Sequence, residues 1–364
     1  KIILTNFKNY TKQSLSFSGK LNCFVGLNGM GKTNLLDAIH YISMTKSNFV
    51  TTDRDVVRHG ESFFRLEGHF INNKKKEKIV AKVIPSTSKI FERNDVPYSK
   101  LSEHIGMLPI VVVAPDDTAL AREGSEERRR FLDITLSQSD QNYLKNLLFY
   151  NRVLKQRNVL LKEGAAKGYL NVDLLKTYNQ QLLAPAHFIF EKRKELLDTL
   201  TPIFNDFYQK ISGQGEEVSC VYNSQLLKAD FADLLITNNE KDRILQRTTT
   251  GIHKDNLVFK INNREVKKFA SQGQLKSYIL ALKLAQYELL RQFKGFSPIL
   301  LLDDLFDKLD VQRVQQLIEL LMGENFGQIF ITDTDNDRVE KIVRNFGTDY
   351  KKFLIEQGEV VSGE

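Results

Sequence analysis

Short apolar runs and alternating apolar and polar positions, both typical of β-strands, fill the first third of the chain. Such segments occupy residues 1–4, 15–17, 21–25, 63–71, 79–84, 89–93 and 109–114. One helical pattern interrupts them, because Leu35, Ala38, Ile39 and Ile42 recur at the spacing of a single helix face. The pattern over residues 1–115 therefore predicts one α/β lobe. The basic stretch 72–78 is interpreted as a solvated hairpin tip, with a phosphate-binding patch as the alternative.

From about residue 116 the apolar spacing changes to long helical periods. Helices are predicted over residues 126–136, 141–162 and 172–211, and Pro185 or Pro202 could kink the last of them. We interpret residues 116–214 as a helical insertion. Its basic triplets, residues 128–130 and 192–194, are interpreted as solvated helix faces, with nucleic-acid contact as the alternative.

The strand pattern returns over residues 215–364, which we expect to complete the α/β fold. Strands are predicted over residues 218–222, 257–261, 299–302 and 328–332, and a closing hairpin over residues 353–360. Helices are predicted after Ser271 and over residues 311–321. The fold class predicted from these patterns is α/β with an inserted helical region.

A glycine-rich loop joins the strand at residues 21–25 to the helix that follows it. The loop and its first helical residues are Gly26, Leu27, Asn28, Gly29, Met30, Gly31, Lys32, Thr33 and Asn34. Glycines let the backbone wrap around phosphate oxygens, and a helix N-terminus favours an anion. Lys32 would reach the β- and γ-phosphates, and the Thr33 hydroxyl would ligate Mg²⁺. The pattern predicts a binding site for ATP or GTP; a glycine-rich turn with an ordinary surface lysine is the alternative.

Two more features suit phosphate chemistry. Ser271 and Gly273 open a predicted helix, which supplies a second N-terminus that favours anions. Asp303 and Asp304 end an aliphatic strand, and open α/β sheets bind ligands at the carboxyl ends of their strands. Asp303 would hold Mg²⁺, directly or through water, and Asp304 would orient or deprotonate the attacking water. An exposed pair of carboxylates without chemistry is the alternative.

Composition limits the class of protein without identifying it. The chain has 364 residues, enough for a large lobe plus a second unit, and a net charge of +7 with both signs interspersed. An anionic partner such as DNA is therefore allowed. Cys23 and Cys220 lack metal-ligand spacing and are interpreted as buried thiols in a reducing cytosol. No apolar run approaches the length of a membrane span, so we expect a cytoplasmic protein without membrane contact.

Taken together, these stretches resemble the ABC-type ATPase heads of the SMC-like kind, and most of all the RecF family of bacterial DNA replication and repair proteins. The stretches that carry the resemblance are LTNFKNY (4–10), GLNGMGKTN (26–34), EERRRFLD (126–133), GIHKD (251–255), FASQGQ (269–274), LALKLA (280–285), LLLDD (300–304) and LD (309–310). The similarity spans nearly the whole chain.

The resemblance implies an ABC head, a P-loop NTPase fold, split by a short helical arm. ATP with Mg²⁺ would lie between two subunits, bound by residues 26–34 of one copy and by Ser271, Gly273 and Gln274 of the other. The family's role implies binding to gapped DNA, where duplex adjoins single strand, and action with RecR and RecO to load RecA. It also implies an ATP-dependent homodimer with slow hydrolysis, in a cytoplasmic, nucleoid-associated protein.

Some positions differ from the ABC pattern. Asp307 stands three residues before Asp310, where ABC heads commonly have serine, and Asp333 and Thr334 stand where transporters have a switch histidine. His253 is interpreted as a hydrogen-bonded structural histidine. Two alternatives to a DNA-repair ATPase remain, namely the ATPase subunit of a transporter or other ABC machine, and a scaffold that binds ATP without useful turnover. The long arm and the missing histidine favour the DNA-repair ATPase.

Overall fold

The computed structural model describes residues 1–72, 75–213, 215–305, 311–323, 325–335, 338 and 349–363. Its strands are β1 (Ile2–Phe7), β2 (Tyr10–Leu15), β3 (Leu21–Val25), β4 (Phe64–Asn72), β5 (Lys75–Ile84), β6 (Ser88–Arg93), β7 (Val96–Pro97), β8 (Ile110–Val113), β9 (Val218–Asn223), β10 (Asn256–Ile261), β11 (Arg264–Glu265), β12 (Ile299–Leu302), β13 (Ile329–Asp333), β14 (Tyr350–Glu356) and β15 (Glu359–Gly363). Its helices are α1 (Lys32–Met44), α2 (Ala119–Arg122), α3 (Ser125–Ser139), α4 (Gln141–Lys167), α5 (Val172–Ser212), α6 (Phe231–Thr237), α7 (Asn239–Leu245), α8 (Val266–Phe269), α9 (Gln272–Lys294) and α10 (Val311–Met322).

The chain divides into two compact units. The first comprises Lys1–Asp117, Lys210–Ser212 and Gln286–Glu364, and the second comprises Thr118–Gln209 and Gly213–Ala285. The long helices α5 and α9 each contribute residues to both units.

Two six-stranded sheets form the first unit. One is antiparallel, with strand order β2-β1-β4-β5-β6-β7. The other has the order β15-β14-β3-β13-β12-β8, in which every neighbouring pair is parallel except β14 with β15. Helix α1 contacts strands of both sheets. Packed aromatic rings contribute to this core, with Phe17 and Phe330 centroids 4.8 Å apart and those of Phe24 and Phe353 5.6 Å apart.

The parallel sheet determines where the candidate residues lie. All five residues of β3 are buried, as expected for a parallel strand covered on both faces. Strand β13 lies between β3, which precedes the glycine loop, and β12, which precedes Asp303. Parallel strands end at the same edge of a sheet, so this topology brings the loop and the two carboxylates to one edge.

The second unit contains the helices α2 to α4, most of α5, the helices α6 to α8 and the beginning of α9. A three-stranded antiparallel sheet of order β11-β10-β9 belongs to it. Helix α5 runs unbroken over 41 residues through Pro185 and Pro202. None of the helices in the described part of the chain is both long enough and apolar enough to cross a membrane.

Several predictions from the pattern need correction. The strand expected at residues 15–17 is instead β2, which ends at Leu15; it is an edge strand with mostly polar side chains, so its apolar signal is weak. The short helices α6 and α7 were not predicted. The first predicted domain boundary, at 115/116, lies two residues from the start of the second unit, whereas that unit continues to Ala285 and does not end near residue 214. The stretch from Asp307 to Asp310 lies outside the described residues, as do residues 73 and 74 of the predicted hairpin tip.

Candidate nucleotide-binding site

The glycine loop adopts a backbone that side chains would obstruct. Gly26 and Gly31 have φ of 150° and 113°, in the region that favours glycine. A Cβ atom on Gly26 would lie 2.4 Å from the carbonyl oxygen of Ile355, and one on Gly31 would lie 2.4 Å from Asn9 Nδ2. The loop is therefore packed from outside by two distant segments, the β1–β2 turn and β14.

Lys32 begins α1, and its ammonium group lies within the loop. The side chain is only 4% exposed, and Nζ donates hydrogen bonds to the carbonyl oxygens of Gly26 at 2.8 Å and Leu27 at 3.0 Å. An ammonium group has three donors, so one donor remains beyond these two bonds. A cation held by loop carbonyls at a helix N-terminus suits the phosphates of a nucleotide.

Thr33 and Asp303 meet across 270 residues of sequence. The Thr33 hydroxyl lies 2.9 Å from Oδ1 and 3.1 Å from Oδ2 of Asp303, and the Thr332 hydroxyl donates to Oδ1 at 2.8 Å. Burial raises the pKa of the Asp303 carboxyl, although both threonine hydrogen bonds favour its charged form. A carboxylate beside a hydroxyl oxygen is a ligand set that suits Mg²⁺, which proteins usually hold with one or two carboxylates plus substrate phosphates.

Asp304 has an unusual backbone for a residue other than glycine. Its φ is 43°, and its backbone N–H donates to the Thr332 hydroxyl at 2.8 Å. The side chain is half-buried beside Asp303. This strained backbone follows the end of β12, and the Thr332 hydroxyl also lies 3.4 Å from Asp304 Oδ1.

Contacts to the loop come from two segments for which the sequence predicted no role. Asn9 Nδ2 donates to the Met30 carbonyl at 3.2 Å, and the same side chain accepts from Asn34 at 2.7 Å through Oδ1. The Gly358 N–H, in the turn between β14 and β15, donates to the same Met30 carbonyl at 3.0 Å. Asn9 belongs to the stretch LTNFKNY (4–10), and the family resemblance of that stretch was the only indication from the sequence that Asn9 could matter.

Ser271 caps α9 in the second unit. Its hydroxyl accepts from the Gln274 N–H at 3.1 Å, and its own N–H donates to Gln274 Oε1 at 2.9 Å, which is a reciprocal capping box. The Gln274 amide also donates to Glu216 at 2.7 Å. Ser271 is exposed and Gly273 half-buried, so the predicted helix N-terminus is present.

The interpretation of the basic triplets as solvated helix faces is wrong for Arg128 and Arg193, which are buried, whereas Arg130 is exposed and Lys192 and Lys194 are partly exposed. Arg193 is fully buried and bonds to Asp133 at 2.9 Å and Asp255 at 2.8 Å. Arg128 is buried and donates to Asn256 at 2.8 Å. Their partners come from other elements, Asp133 from α3 and Asp255 and Asn256 from the start of β10, so helical spacing within one segment cannot predict this burial.

His253 is a structural residue, as the sequence predicted. Its Nε2 lies 3.1 Å from the Thr248 carbonyl, which places the hydrogen there, and the Tyr150 hydroxyl then donates to Nδ1 at 2.8 Å. Burial lowers the pKa of His253 to about 4. The ring is therefore neutral at pH 7 and serves packing.

Comparison with known proteins decides the family. The model of the RecF/RecN/SMC N-terminal domain matches residues 1–355. Curated proteins named DNA replication and repair protein RecF are 46% identical in Flavobacterium johnsoniae, over 97% of this chain and 98% of that protein, and 45% identical in Parabacteroides distasonis, over 99% and 98%. The chain belongs to the RecF family.

Solved structures agree with this assignment. A structure described as the recombination mediator protein RecF with ATP in the RecFOR pathway has a TM-score of 0.90 and 29% identity, covering 100% of this chain and 96% of that one. The Smc head domain of Pyrococcus furiosus has a TM-score of 0.58 and 18% identity, covering 100% and 94%, and supports the fold alone.

Membership of the RecF family confirms the predicted SMC-like ABC-type ATPase fold and the general function of an ATPase in DNA replication and repair. The ATPase subunit of a transporter is not favoured. In the described residues no group of three or more His, Cys, Asp or Glu side chains forms a metal site.

Proposed function

We propose that this protein is an ATP-dependent DNA-binding protein of recombinational repair, in which ATP joins two copies head to tail. The observation that carries the proposal is the loop in which buried Lys32 is held beside the Thr33–Asp303 pair. One copy supplies this cradle, and the other supplies the capped helix N-terminus at Ser271, Gly273 and Gln274. A two-fold arrangement forms both sites at once.

Each residue of the proposed ATP site has a separate role in binding or hydrolysis. Backbone N–H groups of residues 26–34 and the Lys32 ammonium would bind the phosphates, and Thr33 with Asp303 would hold Mg²⁺, which neutralises phosphate charge when bound. Asp304 would orient the attacking water and accept its proton. A carboxylate at this position favours hydrolysis, if slow, over a scaffold that only binds ATP.

The role in repair extends the proposal to partners. A related structure is described as a recombination mediator of the RecFOR pathway. We assign this chain the same role: binding duplex next to single-stranded DNA, acting with RecR and RecO, and promoting RecA loading. A cytoplasmic, nucleoid-associated location follows from such a role. The net charge of +7 is compatible with DNA phosphates.

Substitution of Ser271 by arginine tests the dimer. Ser271→Arg places a long side chain where the γ-phosphate of the opposite copy would lie, so ATP binding by the monomer should persist while ATP-dependent dimers and ATP-stimulated binding to gapped DNA are lost. Sedimentation with ATP and binding of a fluorescent ATP analogue measure the two effects in parallel.

Asn171→Arg is a matched control. Asn171 caps α5 in the same unit by accepting from the Leu174 N–H at 3.0 Å, and it is exposed like Ser271. This variant also loses a cap and gains an arginine, which costs about 1 kcal/mol of stability, yet it should dimerise normally. Intact ATP-driven dimers of Ser271→Arg would remove Ser271 from the interface; loss of ATP binding by its monomer would place Ser271 in the site of its own chain.

A further inference from the structure

An exposed aromatic residue lies just ahead of the capped helix. Phe269 ends α8 and is 67% exposed. Lys267 and Lys268 precede it, and Lys268 pairs with Glu265 at 2.8 Å while Lys267 is exposed. Aromatic side chains are enriched in protein–protein interfaces, so Phe269 is a candidate contact residue.

A cavity of about 700 Å³ lies beside the glycine loop in the first unit. Its lining includes Leu27, Met30, Glu356, Glu359 and Val361. Two of its apolar side chains face solvent, since Leu27 is 71% and Val361 58% exposed. The cavity thus combines apolar surface with two exposed carboxylates, Glu356 and Glu359.

We infer that Phe269 of one copy inserts into this cavity of a second copy when ATP joins the two. This inference rests on the proposed function, in which Ser271 of one copy reaches the phosphate held by the loop of the other. Ala270, between the two residues, is extended, with φ of −72° and ψ of 135°. Two extended residues span about 7 Å, so the Phe269 backbone must lie within about that distance of Ser271. Leu27 and Met30, which line the cavity, belong to the same loop.

Charge favours a second copy of this chain as the occupant. Glu356 and Glu359 would repel the phosphates of DNA, whereas they complement Lys267. The segment from Lys267 to Phe269 carries basic and apolar side chains, which match the carboxylates and the apolar lining of the cavity. The cavity walls are also held in place, because the Gly358 N–H donates to the Met30 carbonyl at 3.0 Å.

The first test removes the aromatic ring. Phe269→Ala should raise the dissociation constant of the ATP-dependent dimer by about 30-fold or more, since a buried aromatic anchor at each of two symmetric contacts is lost. Binding of a fluorescent ATP analogue by the monomer should be unchanged. Phe293→Ala is the control, because Phe293 is also an exposed phenylalanine, at 49%, near the end of α9. Sedimentation with ATP measures the dissociation constant of the dimer for the unaltered protein and for both variants.

The second test exchanges charges. Glu359→Lys alone and Lys267→Glu alone should each weaken the dimer, and the double variant should recover part of the loss, because the opposite charges then face each other again. If the loss of dimer affinity in the double variant equals the sum of the losses in the two single variants, the proposed charge contact is wrong.

The outcomes separate this inference from the proposed function. If the unaltered protein forms no dimer with ATP, both fail together. If it dimerises and Phe269→Ala dimerises equally well, the insertion is wrong while the ATP-joined dimer stands. If Phe269→Ala loses ATP binding as a monomer, Phe269 acts within its own chain and the inference is overturned.

Discussion

Replacing Lys32 by methionine separates its role in phosphate binding from its role in the fold. The ammonium group is buried and donates to the Gly26 and Leu27 carbonyl oxygens at 2.8 and 3.0 Å. Methionine keeps a similar length and removes the charge. At a separation of ~4 Å and an effective dielectric constant of ~20, the attraction between this cation and one phosphate charge is about 4 kcal/mol. The affinity for ATP should therefore fall by about 1,000-fold.

The effect on stability should be much smaller. Two hydrogen bonds from a charged donor are lost, but the variant no longer buries an ammonium group, so we expect a change in unfolding free energy of at most about 2 kcal/mol. Urea unfolding of the variant without nucleotide measures this quantity. Equilibrium titration with a fluorescent ATP analogue measures the affinity.

Lys20→Met is the matched control for Lys32→Met. Lys20 lies directly before β3, at the opposite end of that strand from the loop, and also donates to two carbonyl oxygens, those of Gly323 at 2.9 Å and Phe326 at 2.7 Å. Its replacement should cost a similar amount of stability and leave ATP affinity unchanged. Unchanged affinity in Lys32→Met, or an equal loss in both variants, would refute the assignment of Lys32 to the phosphates.

Two further predictions follow from the carboxylate and histidine environments. Asp304→Asn should bind ATP with near-normal affinity, hydrolyse it more slowly and prolong ATP-dependent dimers, since an amide cannot take a proton from water; hydrolysis at the unaltered rate in a phosphate-release assay would withdraw Asp304 as the base. Burial lowers the pKa of His104 and of His253 to about 4, against an ordinary value near 6.5. Between these values the unfolded chain binds protons that the native chain does not, so stability should fall on acidification from pH 7 toward pH 4, by up to about 3 kcal/mol per histidine. His253→Gln should reduce that pH dependence of the thermal midpoint, and an unchanged dependence would contradict the assignment.

The sequence determined the local features of the site. Strand β3 occupies the residues predicted for it, and the glycine loop and α1 follow at the expected positions, because burial on both faces of a strand and one apolar helix face leave clear periodic signals. The sequence also predicted the aliphatic strand that precedes Asp303 and Asp304, and the start of α9 at Ser271. The same stretches pointed to the RecF family, which the comparisons confirm.

Only the tertiary structure decided which distant residues meet. The contact between Thr33 and Asp303 depends on strand order in the parallel sheet, and the hydrogen bond from Gly358 to Met30 joins segments more than 300 residues apart. The burial of Arg193 likewise depends on Asp133 and Asp255 arriving from other elements. Periodicity records which face of a segment is apolar, whereas pairing between segments depends on packing of the whole chain, so these contacts leave no local signal in the sequence.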